Sequence, residues 1–348
     1  MKKILNILTL CCCIFWAACS DDDNPASSGI QVVSTSDIDF TAAGGEGTIV
    51  VNAAGAVSAT SDKEWCTVTV EGTTVHVVAA ASTEMTSRSA LITISSGTES
   101  AQVPVIQQGQ IVVVNEYNLY HAFKYEGGSL AYPFKTNSTY TIEYPEEAKS
   151  WLTCEVDEAK NLILFTVARN EDHTPRGAEV KITVGTKETV LGISQIEVQE
   201  AQLAGTWNCS YVSSAVGQPL SGEIPMINDP RMGLVMSDLA AAAQLGAPLP
   251  LLFEDGILYL KAETLGRFED GSELSTGTVG ADGLLYLSNC IAVPQYKDGQ
   301  LVYHFGYSYN EALGEVGDMG FCLVVMQNGQ LAQVMEIYDH FVISKALN

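Results

Sequence analysis

The feature that most constrains the fold of this chain is a tandem repeat within its first two hundred residues. Phe40 and the Gly-Gly pair that follows it reappear at Phe123, 83 residues later, and Trp65 reappears as Trp151 after 86 residues. Two further pairs of equivalent residues are each separated by 88 residues: Arg88 and Arg176, and Gln107 and Gln195. This period is too long for a solenoid unit, so the repeat predicts two copies of a whole domain.

Each copy reads as a series of short antiparallel strands. Val68 and Val70 alternate with threonines, and in the second copy Val180 and Ile182 share one face while Lys181 lies on the other. One buried and one wet face is typical of antiparallel sheets. Six or seven such strands in about 85 residues predict a two-sheet sandwich. The repeated tryptophan then anchors each core, with stacking on a sugar ring as the alternative.

The last part of the chain, residues 201–348, has a different pattern. Glycine-containing turn pairs such as Asp255-Gly256 and Asn328-Gly329 separate successive strands, which predicts an antiparallel β-barrel or meander. Asp229-Pro230 predicts the start of one short helix that extends into Leu239–Gln244. Gly205-Thr206-Trp207 resembles the first strand of lipocalin-like barrels, in which the tryptophan closes one end. The predicted fold class is therefore all-β, with two tandem sandwiches before this domain.

Four aromatic residues on one predicted strand are the candidate ligand-binding residues of this last domain. On a strand, alternate side chains share a face, which groups Tyr303, Phe305, Tyr307 and Tyr309 opposite His304. Flat aromatic faces stack on sugar rings, so the four residues form an exposed platform, line a ligand cavity together with Trp207, or fill the core. The sequence leaves these three alternatives open.

The N-terminal segment predicts export and lipid attachment. Lys2 and Lys3 precede an apolar stretch and small residues that end at Cys19, which is the pattern of a secretory signal peptide over residues 1–18. The small-small-Cys ending resembles a bacterial lipobox, in which Cys19 carries the lipid. The run that follows resembles the surface-export signal of Bacteroidetes lipoproteins and consists of Ser20, Asp21, Asp22 and Asp23. Residues 19–29 are then an acidic tether, and the expected location is the outer membrane, on the cell surface.

The charge balance excludes some classes of partner. The chain has 41 acidic and 17 basic side chains, a net charge of -24. Loss of Lys2 and Lys3 with the signal peptide leaves 15 basic residues and makes the net charge -26. Such a chain repels nucleic acid and lacks the basic patch that binds anionic lipid headgroups.

The sequence contains no recognisable catalytic or metal-binding motif. The five histidines are scattered without ligand spacing, and we expect no enzyme activity, no metal and no cofactor. Five cysteines remain after Cys19: Cys66, Cys154, Cys209, Cys290 and Cys322. They are odd in number and irregularly spaced, and we expect buried free thiols.

The repeat residues resemble the BACON family, the Bacteroidetes-associated carbohydrate-binding module. Its pattern includes an early Phe, a Gly-Gly pair, a central Trp, an Arg before an Ile-Thr-Ile strand and a closing Gln-Gly. The first copy, residues 30–110, has all of these, whereas the second, residues 111–200, lacks the closing Gly after Gln195. The resemblance implies that the two tandem sandwiches are immunoglobulin-like. It also implies that they bind polysaccharide or host glycan, or that they space a ligand-binding last domain from the membrane. The alternative is a spacer-borne lipocalin-like barrel that binds an apolar small molecule or a protein.

Overall fold

The structure is a computed structural model that describes residues 29–347 except 117, 240, 241, 243, 281, 282 and 311–313. For residues 307–310 and 314–319 it describes the backbone alone. The candidate lipidation and export residues lie outside the described residues: Cys19, Ser20, Asp21, Asp22 and Asp23.

Contacts between residues divide the chain into two compact units. The first contains the described residues 29–39 together with residues 45–79 and 89–106. The second contains residues 107–348 and the short segments 40–44 and 80–88. The predicted boundary between the second sandwich and the last domain therefore falls inside a single unit.

The first eight strands form two four-stranded sheets with the orders β1-β3-β6-β5 and β2-β8-β7-β4. Alternate apolar side chains such as Ile49, Val75 and Ile92 are fully buried, as expected for strands with one wet face. The strands are β1 Gln31–Ser36, β2 Asp39–Phe40, β3 Gly45–Asn52, β4 Val57–Ser61, β5 Cys66–Glu71, β6 Thr74–Ala79, β7 Arg88–Ser96 and β8 Glu99–Gln107.

The next eight strands repeat this topology. Their sheets have the orders β9-β11-β14-β13 and β10-β16-β15-β12, which are the first two orders shifted by eight strands. The tandem repeat read from the sequence is therefore confirmed. A 3-10 turn, Glu146–Ser150, precedes β13. The strands are β9 Val112–Val114, β10 Tyr120–Phe123, β11 Gly128–Thr136, β12 Tyr140–Glu143, β13 Leu152–Asp157, β14 Leu162–Val167, β15 Arg176–Val184 and β16 Lys187–Gln195.

A 3-10 turn at Glu200–Gln202 leads into the last twelve strands. All of them belong to one sheet, and every pairing between these strands that the described residues make is antiparallel. The strands are β17 Gly205–Ser213, β18 Gln218–Asp229, β19 Gly233–Met236, β20 Leu249–Glu254, β21 Ile257–Leu260, β22 Thr264–Arg267, β23 Glu273–Gly280, β24 Leu285–Tyr286, β25 Cys290–Lys297, β26 Gln300–Asn310, β27 Gly314–Gln327 and β28 Gln330–Ala346.

Eight of these strands pair in a ring. The pairing order is β17-β18-β19-β20-β21-β25-β26-β28, and β28 pairs back with β17. The long β28 also pairs with β27, which continues the sheet through β23 to β22 and β24. An eight-stranded ring has an interior just wide enough for side chains to fill. Large buried side chains such as Trp207, Tyr303 and Phe341 belong to its core cluster.

The prediction that a short helix starts at Asp229-Pro230 is wrong for the first part of that segment. Asp229 Oδ1 accepts hydrogen bonds from the backbone N–H groups of Arg231 and Met232 at 2.8 and 2.9 Å. Gly233 follows with φ +77°. The segment is therefore the hairpin turn between β18 and β19, because a carboxylate that can cap a helix can equally close an Asx turn. Of the segment 239–244, the structure describes Ala242 and Gln244 as helical.

The fold class is all-β, as predicted, with two immunoglobulin-like sandwiches before the last domain. Within the described residues, no helix has the length and apolar character to cross a membrane. Cys66, Cys154 and Cys209 are free thiols, and of the five described cysteines all but Cys154 are buried, so the expected buried free thiol is confirmed for Cys66 and Cys209.

Candidate functional site

Three of the aromatic residues singled out as ligand-binding candidates lie in the core. Trp207, Tyr303 and Phe305 are 0%, 0% and 1% exposed. The indole N–H of Trp207 donates to the carbonyl oxygen of Leu203 at 2.7 Å, and the Tyr303 hydroxyl donates to that of Gly256 at 2.8 Å. Because their polar atoms are satisfied and their faces are covered, these side chains stabilise the core and do not present a ligand platform. Tyr307 and Tyr309 lie in β26, but their side chains are outside the description.

The repeated arginine and glutamine form the same hydrogen-bonded pair in both copies. Arg88 Nε donates to Gln107 Oε1 at 2.8 Å, and Arg176 Nε donates to Gln195 Oε1 at 2.9 Å. In each copy, the carbonyl oxygen eight residues before the arginine accepts hydrogen bonds from both side chains. These residues hold the ends of strands together, so the most regular feature of the repeat is structural.

The repeated tryptophan is more buried in the second copy than in the first. Trp151 is 7% exposed and belongs to the core cluster of its sandwich, and the Arg176 guanidinium lies 4.9 Å from its ring centroid. Trp65 is half-buried. The burial of Trp151 fits the core-anchor interpretation of this residue.

The second sandwich and the ring are joined at β25, which packs against β10, β15 and β16. Two glycines of the sandwich permit this close approach. A methyl group on Gly177 would lie 2.2 Å from the carbonyl oxygen of Tyr296, and one on Gly192 would lie 2.5 Å from Gln295 Oε1. Cβ atoms essentially never approach other heavy atoms so closely. Because the obstructing atom at Gly177 belongs to the backbone, the absence of a side chain there is a condition of this contact.

Buried hydrogen bonds fix the register of the junction. The Ser194 hydroxyl donates to Gln295 Oε1 at 3.1 Å and accepts the backbone N–H of Tyr296 at 2.9 Å. Gln295 Nε2 donates to the carbonyl oxygen of His121 at 3.3 Å. Ser194 and Gln295 are 1% and 5% exposed. Buried polar groups must be paired, and this network joins two strands of the sandwich, β10 and β16, to one strand of the ring, β25.

A cleft of about 330 Å³ opens along this junction. We call it the junction cleft and define it by Tyr120, Glu179, Tyr296, Lys297 and His304. The rings of Tyr120 and His304 stack with centroids 4.1 Å apart and an interplanar angle of 9°. Lys297 Nζ lies 2.5 Å from Glu179 Oε1. The cleft therefore combines aromatic surface with a charged pair at its rim.

Burial keeps the junction histidines neutral. It lowers the pKa of His121 to about 4. It lowers the pKa of His304 to about 4 as well, with a smaller contribution from the nearby Lys297 ammonium. Burial also raises the pKa of Tyr120. At neutral pH the stacked pair therefore presents two uncharged rings, with the Tyr120 hydroxyl protonated as a donor.

The two histidines predict acid sensitivity of the second unit. An unfolded histidine titrates near pH 6.5, whereas these two stay neutral in the folded state down to about pH 4. Their contribution to the free energy of unfolding is complete above pH 6.5. It is lost as the pH falls from 6.5 to 4, by up to about 3 kcal/mol for each histidine. Urea unfolding at several pH values measures this effect.

A matched variant separates the histidine contribution from that of the carboxylates. His304→Phe keeps a ring against Tyr120 but cannot take up a proton, so its free energy of unfolding should fall less steeply between pH 6.5 and 4. Equal slopes for the wild type and the variant would contradict the assignment.

A second cleft, of about 400 Å³, is also lined by residues of β10 and β25. Phe123, Phe253 and Pro294 line it, and Lys124 Nζ and Asp255 Oδ1 form an ion pair of 2.7 Å at its edge. It lacks the stacked rings of the junction cleft. Within the described part of the chain, no group of acidic, histidine and cysteine side chains has the arrangement of a metal site.

The junction residues were not among the candidates read from the sequence. His304 was placed on the face of its strand opposite the aromatic run, and Tyr120 and Tyr296 were not singled out. The signal that could have found them is divergence between the two copies. At offsets of 83 and 88 residues, Tyr120 replaces Asp37 and Gly192 replaces Pro104.

Both sandwiches contain a match to the same family profile. The BACON profile, described as "Putative binding domain, N-terminal", matches residues 55–108 and 140–196. The chain therefore contains two BACON domains, and the resemblance read from the repeat is confirmed. These domains suggest a carbohydrate-binding role. No curated protein matches the chain.

Solved structures with similar folds are distant. An endo-fucoidan hydrolase from glycoside hydrolase family 107 is 13% identical, with a TM-score of 0.27; the match covers 50% of this chain and 29% of the hydrolase. A protein from Bacteroides thetaiotaomicron is 16% identical over 26% of this chain and 96% of its own, with a TM-score of 0.22. Chimeric titin Z1Z2 is 6% identical over 51% of this chain and 100% of its own, with a TM-score of 0.31. The chain spans less than a third of the hydrolase, and none of these likenesses bears on what it binds.

Proposed function

We propose that the protein is a non-catalytic glycan-binding lipoprotein of the cell surface and that the junction cleft is its glycan site. The observation that carries this proposal is the stacked Tyr120 and His304 pair, which lines a cleft between a BACON domain and the ring. The glycan would thus be bound by the second BACON domain and the last domain together.

The chemistry of the cleft suits a sugar. Sugar rings have apolar C–H faces that pack on aromatic rings, and their hydroxyls need donors and acceptors nearby. Tyr120 and Tyr296 supply ring surface, and His304, neutral at pH 7, supplies a further flat face. The hydroxyl of Ser194 and the side-chain amide of Gln295 are already engaged in the junction. The phenol hydroxyls at the cleft are therefore the best candidates to contact sugar hydroxyls.

The ring interior is a less suitable ligand site. Aromatic side chains pack against each other there, for example Trp207 against Tyr303 with centroids 5.9 Å apart. Both side chains are fully buried. An apolar small molecule would have to displace this packing, whereas a glycan in the junction cleft displaces only solvent.

Attachment at Cys19 and display through the acidic run at Asp21, Asp22 and Asp23 belong to the same proposal. Two BACON domains between the lipid and the last domain would then act as spacers, and the second would also contribute to binding. Radiolabelled palmitate incorporation into the wild type but not Cys19→Ala, with protease accessibility on intact cells, tests this part.

The glycan site is tested by affinity gel electrophoresis against a panel of polysaccharides. Tyr120→Ala and Tyr296→Ala should each weaken retardation of the full chain by roughly tenfold, which corresponds to about 1.4 kcal/mol of lost stacking. Tyr259→Ala is the matched control, because Tyr259 is half-buried on β21 and does not line the cleft. Equal retardation of all three variants, or no retardation of the wild type by any glycan, would overturn the proposal.

A further inference from the structure

The rim of the junction cleft carries more negative than positive charge. Its lining includes the carboxylates of Glu147, Glu179 and Asp298, and against them one ammonium group, that of Lys297. All four residues are exposed, so a ligand that enters the cleft meets them directly. The local charge is therefore about -2.

The one cation of the rim is already paired. Lys297 Nζ and Glu179 Oε1 are 2.5 Å apart, and the hydrogen bond to Glu179 is the main reason that the pKa of Lys297 is raised. The histidines at the junction add no positive charge at neutral pH. An anionic group on a ligand would thus face two unpaired carboxylates with no free cation to meet it.

Building on the proposed function, we propose that the junction cleft selects neutral glycans and excludes sulfated and uronate-containing ones. An anionic substituent would lose hydration at the rim and gain only repulsion from Glu147 and Asp298. The net charge of -24 over the whole chain adds long-range repulsion of polyanions. A neutral polyhydroxyl ligand meets neither penalty, and it can still stack on Tyr120 and Tyr296.

The test compares each neutral polysaccharide with its own sulfated derivative, for example dextran with dextran sulfate, on the full chain. We expect the neutral form of the bound glycan to retard the protein equally at low salt and at about 0.5 M salt, where exposed charges are screened. Its sulfated derivative should bind at least tenfold more weakly at low salt. Preferential binding of sulfated or uronate-containing glycans would overturn this inference and leave the proposed function standing. Failure of every glycan of both classes would overturn both.

One substitution tests whether the paired cation sets this selectivity. Glu179→Gln leaves Lys297 unpaired and removes one carboxylate, so the variant should gain salt-sensitive binding of the sulfated derivative by several fold. Glu188→Gln is the matched control: it makes the same change in net charge and breaks the 2.5 Å pair with Lys181, which lies outside the cleft. If Glu179→Gln gains no more than Glu188→Gln, the ion pair does not discriminate and the inference is wrong.

Discussion

Replacing Gly177 by alanine should detach β25 from the second sandwich and abolish the junction cleft. Gly177 has no positive φ to accommodate, so alanine introduces no backbone strain and acts only through the added methyl group. That group would lie 2.2 Å from the Tyr296 carbonyl oxygen and 3.0 Å from the Ser194 hydroxyl. The carbonyl belongs to a strand and cannot rotate away, so the strands must separate.

Overpacking of this kind typically costs about 1–3 kcal/mol, and we expect a value near the upper end because the obstructing atom is backbone. Hydrogen exchange should accelerate at β10 and β25, because the network of Ser194 and Gln295 opens with the contact. Glycan retardation should fall by more than tenfold, since Tyr120 and Tyr296 are then no longer held together.

Gly222→Ala is the control for Gly177→Ala. Gly222 also lies within a strand, β18, but a methyl group there meets no heavy atom within 4 Å. Its stability should stay within about 0.5 kcal/mol of the wild type. If Gly177→Ala were as stable as Gly222→Ala, the close contact of β25 with the sandwich would not exist in solution. The junction cleft, which depends on that contact, would then not exist either.

The sandwiches could be predicted because local pattern and repetition agree. Alternation of Val180 and Ile182 with Lys181 indicates one buried face wherever it occurs. The same key residues recur in order in the second copy, which argues against a chance match. The hydrogen-bonded pair of Arg176 and Gln195 was visible in the sequence as a fixed spacing, although its structural role was not. A repeated spacing indicates that two residues interact, whereas only the structure shows which groups their side chains bind.

The aromatic run on β26 shows what periodicity leaves open. Alternation places Tyr303 and Phe305 on one face of the strand, but a platform, a cavity wall and a core all have this pattern. The choice depends on whether other strands cover that face, which is a property of the closed ring. Here the ring covers it, and the opposite face, with His304, lines the cleft.

The junction was harder to predict because it depends on contacts between parts of the chain more than a hundred residues apart. The hydrogen bond between Ser194 and Gln295 has no local signature. Differences between the copies are nevertheless informative. Gly177, Gly192 and Ser194 occupy the places of Ser89, Pro104 and Ile106 in the first copy. Where two repeats share a fold, a run of small residues in one of them indicates a contact that the other does not make.

Replacing Trp207 by alanine should destabilise the ring more than any single change at the cleft. Trp207 is fully buried, its ring contacts that of Tyr303 at 5.9 Å between centroids, and its N–H is bonded to Leu203. Removal of a buried tryptophan side chain typically costs about 3–5 kcal/mol, because the surrounding core closes the cavity only in part. Urea unfolding, followed by hydrogen exchange of β17 and β28, measures this loss within the ring.

Trp207→Phe separates packing from hydrogen bonding and decides between core and ligand roles for this residue. The phenyl ring fills most of the space but leaves the Leu203 carbonyl without its donor, which should cost about 1–3 kcal/mol in all. Both variants, under conditions in which they remain folded, should bind glycan as the wild type does, because Trp207 does not line the junction cleft. If the Trp207→Ala protein stayed within about 1 kcal/mol of the wild-type stability but lost glycan binding, Trp207 would have to be assigned to the ligand site. The core role rests on the opposite result, a large loss of stability with binding retained.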